Sequence, residues 1–192
     1  MDPNELKGCI TFLQQAERLK NVLRTATTSQ GRRESTAEHS WRLALFAMLL
    51  EDDLPDLDFA RMLKMCVIHD LGEAIHGDIP AIAQVPGMPG KSARERDDLQ
   101  TLAAPLPARL RAQLLSLWDE YDNAASPEAR IVKGLDKLET MIQHNQGRNP
   151  PGFDYAFNLG YGVQHTAHHP LLAALRALVD EATRDRADGG LA

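Results

Sequence analysis

One run of fourteen residues, Met65 to Asp78 (MCVIHDLGEAIHGD), limits what this chain can fold into more than any other stretch. Apolar residues at 63, 67, 68, 71, 74 and 75 recur at helical spacing, so the segment reads as a helix with one face in a core. Into that apolar run the sequence inserts His69, Asp70 and Glu73. A buried carboxylate is costly unless it is neutralised or bound to a cation, so the fold must bring a partner to Asp70, and a metal ion is a natural one. Glu73 stands four residues after His69 and three after Asp70, on the adjoining helix surface and within reach of anything those two hold.

Composition narrows the class of molecule. With 192 residues, 43% hydrophobic and 25% charged, the chain can bury one sizeable core, and a single domain over 1–192 is expected. The net charge of -6 and a pI near 5.6 speak against general nucleic-acid or anionic-membrane binding, which needs basic surface. Any anionic substrate must therefore meet locally concentrated positive charge. Cys9 and Cys66 are too few for a disulfide framework, and no signal segment or run of eighteen apolar residues is found. A reducing, cytoplasmic setting is expected.

Read in order, the chain predicts helices throughout. Leu6, Cys9, Ile10, Leu13, Ala16 and Leu19 share one face of a first helix over about Asn4 to Leu23, ending near Arg24. A polar stretch with Gly31 follows, then Ser35 and Glu38 at the spacing of a capping box, which sets His39 in the first turns of a second helix. Asp58 caps a third helix expected from Phe59 to Ile75, stopped by Gly77 and Pro80. The stretch up to Lys91, with Pro86, Gly87, Pro89 and Gly90, has the turn chemistry of a long ordered loop, of the kind that serves as a lid. Ser92 with Glu95 is a second capping box, for a helix to about Ala103, and another follows over Ala108 to Asp122. Ser126-Pro127 caps a helix that inserts Asp136 among Ile131, Val132, Leu135, Leu138 and Ile142. After Asn149-Pro150-Pro151-Gly152 the sequence is less regular up to His169, and Pro170 opens a last helix through Ala182. No strand alternation and no internal repeat is found, and the expected fold class is all-α.

Four ligand types thus stand on three predicted helices: His39, the pair His69 and Asp70, and Asp136. Each alone has an ordinary explanation, since a single helical histidine is more often packed than ligating and Asp136 has Lys133 and Lys137 nearby. Their order and spacing together are more specific. A histidine, then His-Asp, then a distant aspartate on an all-α chain resembles the HD-domain metal-dependent phosphohydrolases. Leu19-Lys20 with Arg24-Thr25, Glu34 to Ser40, His69 to Pro80, Trp118-Asp119-Glu120-Tyr121 and Asp136 to Glu139 resemble the 5′-deoxynucleotidase branch of that family.

The resemblance implies a homodimer that hydrolyses nucleoside 5′-monophosphates, preferably deoxy, with one divalent metal per site. It further implies His39, His69, Asp70 and Asp136 as metal ligands, Glu73 and Asp78 as catalytic groups, and Arg24 and Glu120 as substrate contacts. An aromatic residue, usually tryptophan, follows the matching arginine in the family, whereas Thr25, Ala26 and Thr27 occupy that region here, so weaker deoxyribose selectivity is expected. Arg32 and Arg33, close to His39 in sequence, are either solvated surface or phosphate ligands, and Arg33 is carried as a candidate substrate contact.

Two imidazoles and two carboxylates suit Mn, Co, Fe or Zn better than an all-oxygen magnesium or calcium cage and leave coordination positions open. An ion so held can act on a phosphoryl oxygen while Glu73 and Asp78 handle protons. Two other functions fit parts of the pattern. A dinuclear iron oxygenase would need more histidines than His76, the only one between Asp70 and Asp136. A nucleotide sensor with little turnover would not need Glu73 and Asp78. Cys66 reads as packing, His165, His168 and His169 as surface, and Trp118 with Tyr121 as core. The run Leu171 to Leu175 with Leu178 and Val179 is either core or a dimer face.

Overall fold

Asp2 opens the first helix, α1 (Pro3–Ala16): its side chain accepts from the N–H groups of Asn4 and Glu5, and Glu5 accepts from the Asp2 N–H in return. The fold is seen in a computed structural model that describes residues 1–79 and 90–189. Helix α1 stops earlier than its apolar spacing suggested, tightening into a 3₁₀ turn over Glu17–Asn21. Leu6, Ile10 and Leu13 remain exposed, and the buried anchor of this region is Leu19.

The chain then extends. Strand β1 (Leu23–Thr27) pairs antiparallel with β2 (Arg33–Ser35), in a register that joins Leu23 to Ser35 and Thr27 to Arg33 across an irregularity. Gly31, at φ +88°, takes the turn between them. This hairpin departs from the strand-free expectation, and its brevity and irregular register explain why no alternation marks it. Gln143 Nε2 donates to Thr27 O at 2.6 Å, tying β1 to the later helix that carries Asp136.

Helix α2 (Thr36–Met48) begins at the anticipated capping box of Ser35 and Glu38. Helix α3 (Phe59–Ile68) starts at the Asp58 cap but ends seven residues before the expected Ile75. Its continuation is blocked because the His69 carbonyl accepts from the Trp118 indole at 2.9 Å, and the Glu73 N–H turns to Asp70 O at 3.0 Å. A separate turn of helix, α4 (Glu73–His76), follows and ends at Gly77, φ +84°. The expected stop at Pro80 and the proposed lid with Pro86, Gly87 and Pro89 lie outside the described residues.

Helix α5 (Lys91–Leu102) is not opened by the Ser92 and Glu95 box: Gly90 is its cap, the Ser92 hydroxyl bonds Asp122, and Glu95 pairs with Lys91. Helices α6 (Ala108–Asp122) and α7 (Pro127–Gln146) follow, the latter capped by Ser126. Two short helices, α8 (Tyr155–Gly160) and α9 (Val163–Thr166), lead to α10 (Pro170–Ala187). Among the described residues, no helix is long and apolar enough to cross a membrane.

Helix α7 is the axis of the core. Its Val132, Leu135, Leu138 and Met141 are fully buried against Leu43 and Ala47 of α2, Met62 and Met65 of α3 and Leu172 of α10. Removing one such leucine side chain typically destabilises by about 2–5 kcal/mol. The same helix delivers Asp136 and Glu139 to the interior, so packing of α7 against α2 and α3 decides where the ionisable groups meet.

Candidate metal centre and active-site cavity

Four side chains converge where α2, the end of α3 and α7 meet. His39 Nε2 lies 3.1 Å from Asp136 Oδ1 and 3.9 Å from Asp70 Oδ2; His69 Nε2 lies 3.0 Å from Asp70 Oδ2 and 3.9 Å from Asp136 Oδ1. Three of the four are buried and Asp70 is nearly so. The residues expected from sequence to hold a metal are therefore together.

Each candidate ligand is also fixed from behind. His39 Nδ1 is paired with Glu139, and His69 Nδ1 donates to Cys66 O at 3.0 Å, so both rings turn Nε2 to the centre. Asp136 Oδ2 accepts from Tyr121 Oη at 2.9 Å and Lys137 Nζ at 2.7 Å, which leaves Oδ1 facing the imidazoles. His69 Nε2 is buried without a hydrogen-bond partner among the described residues. Orphaned buried ring nitrogen and paired carboxylates fit a divalent cation with mixed nitrogen and oxygen ligands. Burial opposes ionisation of Asp136, yet Lys137 and the two imidazoles hold it well below the usual carboxylate range. Asp70 is held low in the same way by His69 against the effect of burial.

A second acidic group, Glu34 with Glu139 around His39 Nδ1, could also be read as metal-binding. Its charge is already met by guanidinium groups: Arg24 Nε is 3.5 Å from Glu34 and Arg42 Nε is 3.0 Å from Glu139. That favours one ion over two. Cys66 falls in neither group of possible ligands among the described residues; its side chain is fully buried in the core and its carbonyl serves His69.

Beside this centre opens a cavity of about 870 Å³, lined by Asp70, Asp136, Glu73, Asp78, Arg24 and Lys91 among others. Glu73 is buried; Thr36 Oγ1 donates to it at 3.1 Å and Lys91 Nζ lies 3.4 Å away. Burial first, then the Asp70 and Asp78 carboxylates, push Glu73 up to about 9 against the pull of Lys91. Asp78 sits just past the Gly77 turn, 3.9 Å from Lys91 Nζ. A proton-holding carboxyl, a more open carboxylate and a cation thus face one space.

Arg24 stands on β1, not at a helix end as the sequence suggested, and only 13% of its side chain is exposed. Its Nη2 donates to Thr140 Oγ1 at 2.9 Å, and Nη1 is 3.6 Å from Asp70 Oδ2. It joins the cavity to the metal ligands. Arg33 reaches only the rim, because its guanidinium donates to the carbonyls of Leu23 and Arg24 at 2.7 Å and so braces β1. Glu120, expected to touch substrate, is not brought to the site: Arg61 of α3 engages both its oxygens, and it does not line the cavity. Its neighbours Tyr121 and Asp122 do.

Sequence reasoning missed several residues that the fold recruits. Glu139 lies one helical turn after Asp136, a signal that was available. Lys91 follows the stretch 80–89 and carries no local mark. His165, read as surface, lines the cavity, as do Phe153, Phe157 and Tyr161 from the segment that showed no regular pattern.

Comparison with known proteins agrees with this geometry. The chain is 33% identical over 191 residues to "5'-deoxynucleotidase HDDC2" of Danio rerio, covering 96% of this chain and 93% of that one. It is 34% identical over 142 residues to the Homo sapiens protein of that name, covering 73% and 68%. A solved structure described as a predicted metal-dependent phosphohydrolase from Magnetospirillum magnetotacticum MS-1 superposes with a TM-score of 0.81 at 31% identity, covering 98% of this chain and 99% of that chain. Residues 16–176 match the HD domain, which takes in every residue of the centre and its cavity, and the chain belongs to the HD domain family.

Proposed function

We propose that this chain is a metal-dependent 5′-nucleotidase that hydrolyses nucleoside 5′-monophosphates, deoxy substrates among them, to nucleoside and phosphate. The observation that carries the reading is the meeting of His39, His69, Asp70 and Asp136 around one point at the wall of a cavity that also holds Glu73, Asp78 and Arg24. A divalent transition ion held by those four ligands (Mn, Co, Fe or Zn) would supply Lewis-acid charge to a phosphoryl oxygen. The chain's own groups do the rest. Arg24 offers a planar fork of donors to the remaining phosphate oxygens, and Lys91 adds a second positive charge in an otherwise acidic molecule. Glu73, whose burial beside the Asp70 and Asp78 carboxylates favours the protonated form, donates to the departing 5′ oxygen, and Asp78 accepts a proton from the attacking water.

The names of the relatives support the substrate class, and the absence of a ring at Thr25 supports weaker sugar discrimination. The HD-domain resemblance also implies a homodimer. Trp41, Leu45 and Met48 of α2, with Leu49 just past its end, leave an exposed apolar face that a second copy would cover. Free Cys9 and Cys66 accord with a reducing, cytoplasmic setting.

The test is phosphate release from a panel of ribo- and deoxyribonucleoside 5′-monophosphates by protein loaded with manganese or cobalt, alongside elemental analysis. One ion per chain and release from several nucleotides are expected. Tight nucleotide binding without release would favour the sensor instead. Two ions at the centre would refute the mononuclear reading.

A further inference from the structure

Part of the cavity wall is aromatic, and the proposed chemistry does not use it. Phe153, Phe157 and Tyr161 all line it, with Phe157 and Tyr161 stacked at 6.0 Å between ring centroids and 29° between planes. Phe157 is 38% exposed, although apolar rings in a cavity lined by so many charges gain nothing from facing water. The segment is held rigidly in place: Arg176 of α10, itself buried, donates to the carbonyls of Asn158, Leu159 and Tyr161 at 2.7–3.0 Å. A mobile surface loop would not be clamped in this way.

A polar group stands with the rings. Asn158 lines the same cavity and is only 1% exposed; its Oδ1 faces His144 Nδ1 at 3.1 Å, and its Nδ2 has no partner among the described residues. Whichever way the amide is turned, one of its ends is buried without a partner among the described residues.

The aromatic wall is also at the right reach from the reacting end. Lys137 Nζ touches Asp136 Oδ2 at 2.7 Å and lies 5.5 Å from the centre of the Tyr161 ring, so the ring is one lysine head group away from a metal ligand. A phosphoryl group at the centre and a planar base on Phe157 and Tyr161 would be joined by a single pentose. The cavity volume falls in the usual range for small-molecule sites, about 300–1,000 Å³.

We propose that Phe157 and Tyr161, with Asn158 beside them, form a nucleobase subsite. It rests on the nucleotidase reading and assigns the end of the substrate that the metal centre does not touch. Stacking accepts any base, because each has a π-face, so this subsite confers affinity for nucleotides over base-free sugar phosphates and little choice among bases. The single amide adds a hydrogen bond that biases the choice modestly.

Two measurements on metal-loaded protein test it. In the first, Phe157→Ala and Tyr161→Ala are compared with wild type on deoxyadenosine 5′-monophosphate and on 2-deoxyribose 5-phosphate, which lacks a base. Loss of stacking should lower kcat/KM for the nucleotide about tenfold, chiefly through KM, and leave the sugar phosphate within about twofold. Equal losses on both substrates, or none on either, would overturn the subsite while leaving the nucleotidase reading intact. In the second, binding of deoxyadenosine, which has no phosphate to hydrolyse, is measured by calorimetry. Wild type should bind it about tenfold more tightly than either variant, and equal or undetectable binding by all three would overturn the subsite even if no nucleotide proves to be a substrate.

Discussion

His39 Nδ1 is paired with Glu139, while the opposite ring nitrogen faces Asp136 at 3.1 Å. One residue of α2 is therefore held between two carboxylates that lie one turn apart on α7. Arg42 completes the arrangement by fixing the other oxygen of Glu139 at 3.0 Å. Glu139 has no access to substrate and can act only through the ring it orients.

Glu139→Gln should therefore weaken metal affinity by about 10–100-fold, the usual effect of removing a carboxylate behind a ligating histidine. Competition with a chelator of known affinity measures it directly. An unchanged affinity would reduce Glu139 to a buried counter-ion for Arg42.

Glu73→Gln keeps the size of the side chain and removes the proton that it would give to the leaving oxygen. Turnover on a nucleoside monophosphate should fall by roughly 10²–10⁴, with metal content preserved. On p-nitrophenyl phosphate, whose leaving group needs no proton, the loss should be much smaller. Equal losses on both substrates would move Glu73 from proton donor to another role.

Arg24→Ala should lower kcat/KM for a nucleotide by about 2–4 kcal/mol in transition-state terms, as loss of an electrostatic clamp does. From sequence alone, a substrate contact at the end of the first helix would leave melting nearly unchanged when removed. Its burial against Glu34 and Thr140 changes that expectation, and stability should drop by roughly 1–3 kcal/mol because Glu34 loses its counter-ion. Thermal melting and steady-state kinetics of the same variant separate the two effects.

Acidity offers a fourth check, made after the metal has been stripped with a chelator. Glu95, raised by burial to about 7 although Lys91 opposes this, and Glu73, raised to about 9, both bind their protons more tightly in the folded chain than in the unfolded one. His39 acts in the same direction: burial and Arg24 oppose its protonation, but Glu139 and Asp136 outweigh them and raise it to about 9. Folded stability contributed by these groups is full below their unfolded values and is lost as pH rises through the folded ones. Stability, and with it the melting temperature, should fall between pH 5 and pH 9. Glu73→Gln should flatten the upper part of the curve, and a melting temperature that climbs with pH would contradict the assignment.

What could be read from the sequence was what short-range chemistry determines. Ser35 with Glu38, Asp58, and Ser126 with Pro127 announced their helices because a cap is made within four residues. The four candidate ligands could be picked out because residue type and order survive any uncertainty about packing, and the fold brings them together. The end of α3 was not, since the apolar spacing runs on to Ile75 and the interruption comes from Trp118, 49 residues away. Ser92 and Glu95 showed the spacing of a box, but Asp122 and Lys91 are better partners for them in the folded chain. Glu120 fell beside true lining residues, yet an arginine on α3 decided its direction.

The early end of α3 has a consequence for how this centre could be moved or rebuilt. On an unbroken α-helix adjacent side chains leave the axis about 100° apart, so neighbours do not ordinarily address one point. Here His69 is the last residue with helical support and Asp70 the first beyond it, and their ligand atoms come within 3.0 Å of each other. The interruption is locked from outside: the Trp118 indole occupies the His69 carbonyl, and Gly72 lies so close to α5 that an added Cβ would stand 2.4 Å from the Glu95 carbonyl oxygen. Grafting the two letters His-Asp into the middle of a designed helix would therefore reproduce the composition of the centre but not its geometry. The portable unit is the break together with the tryptophan and the glycine that enforce it.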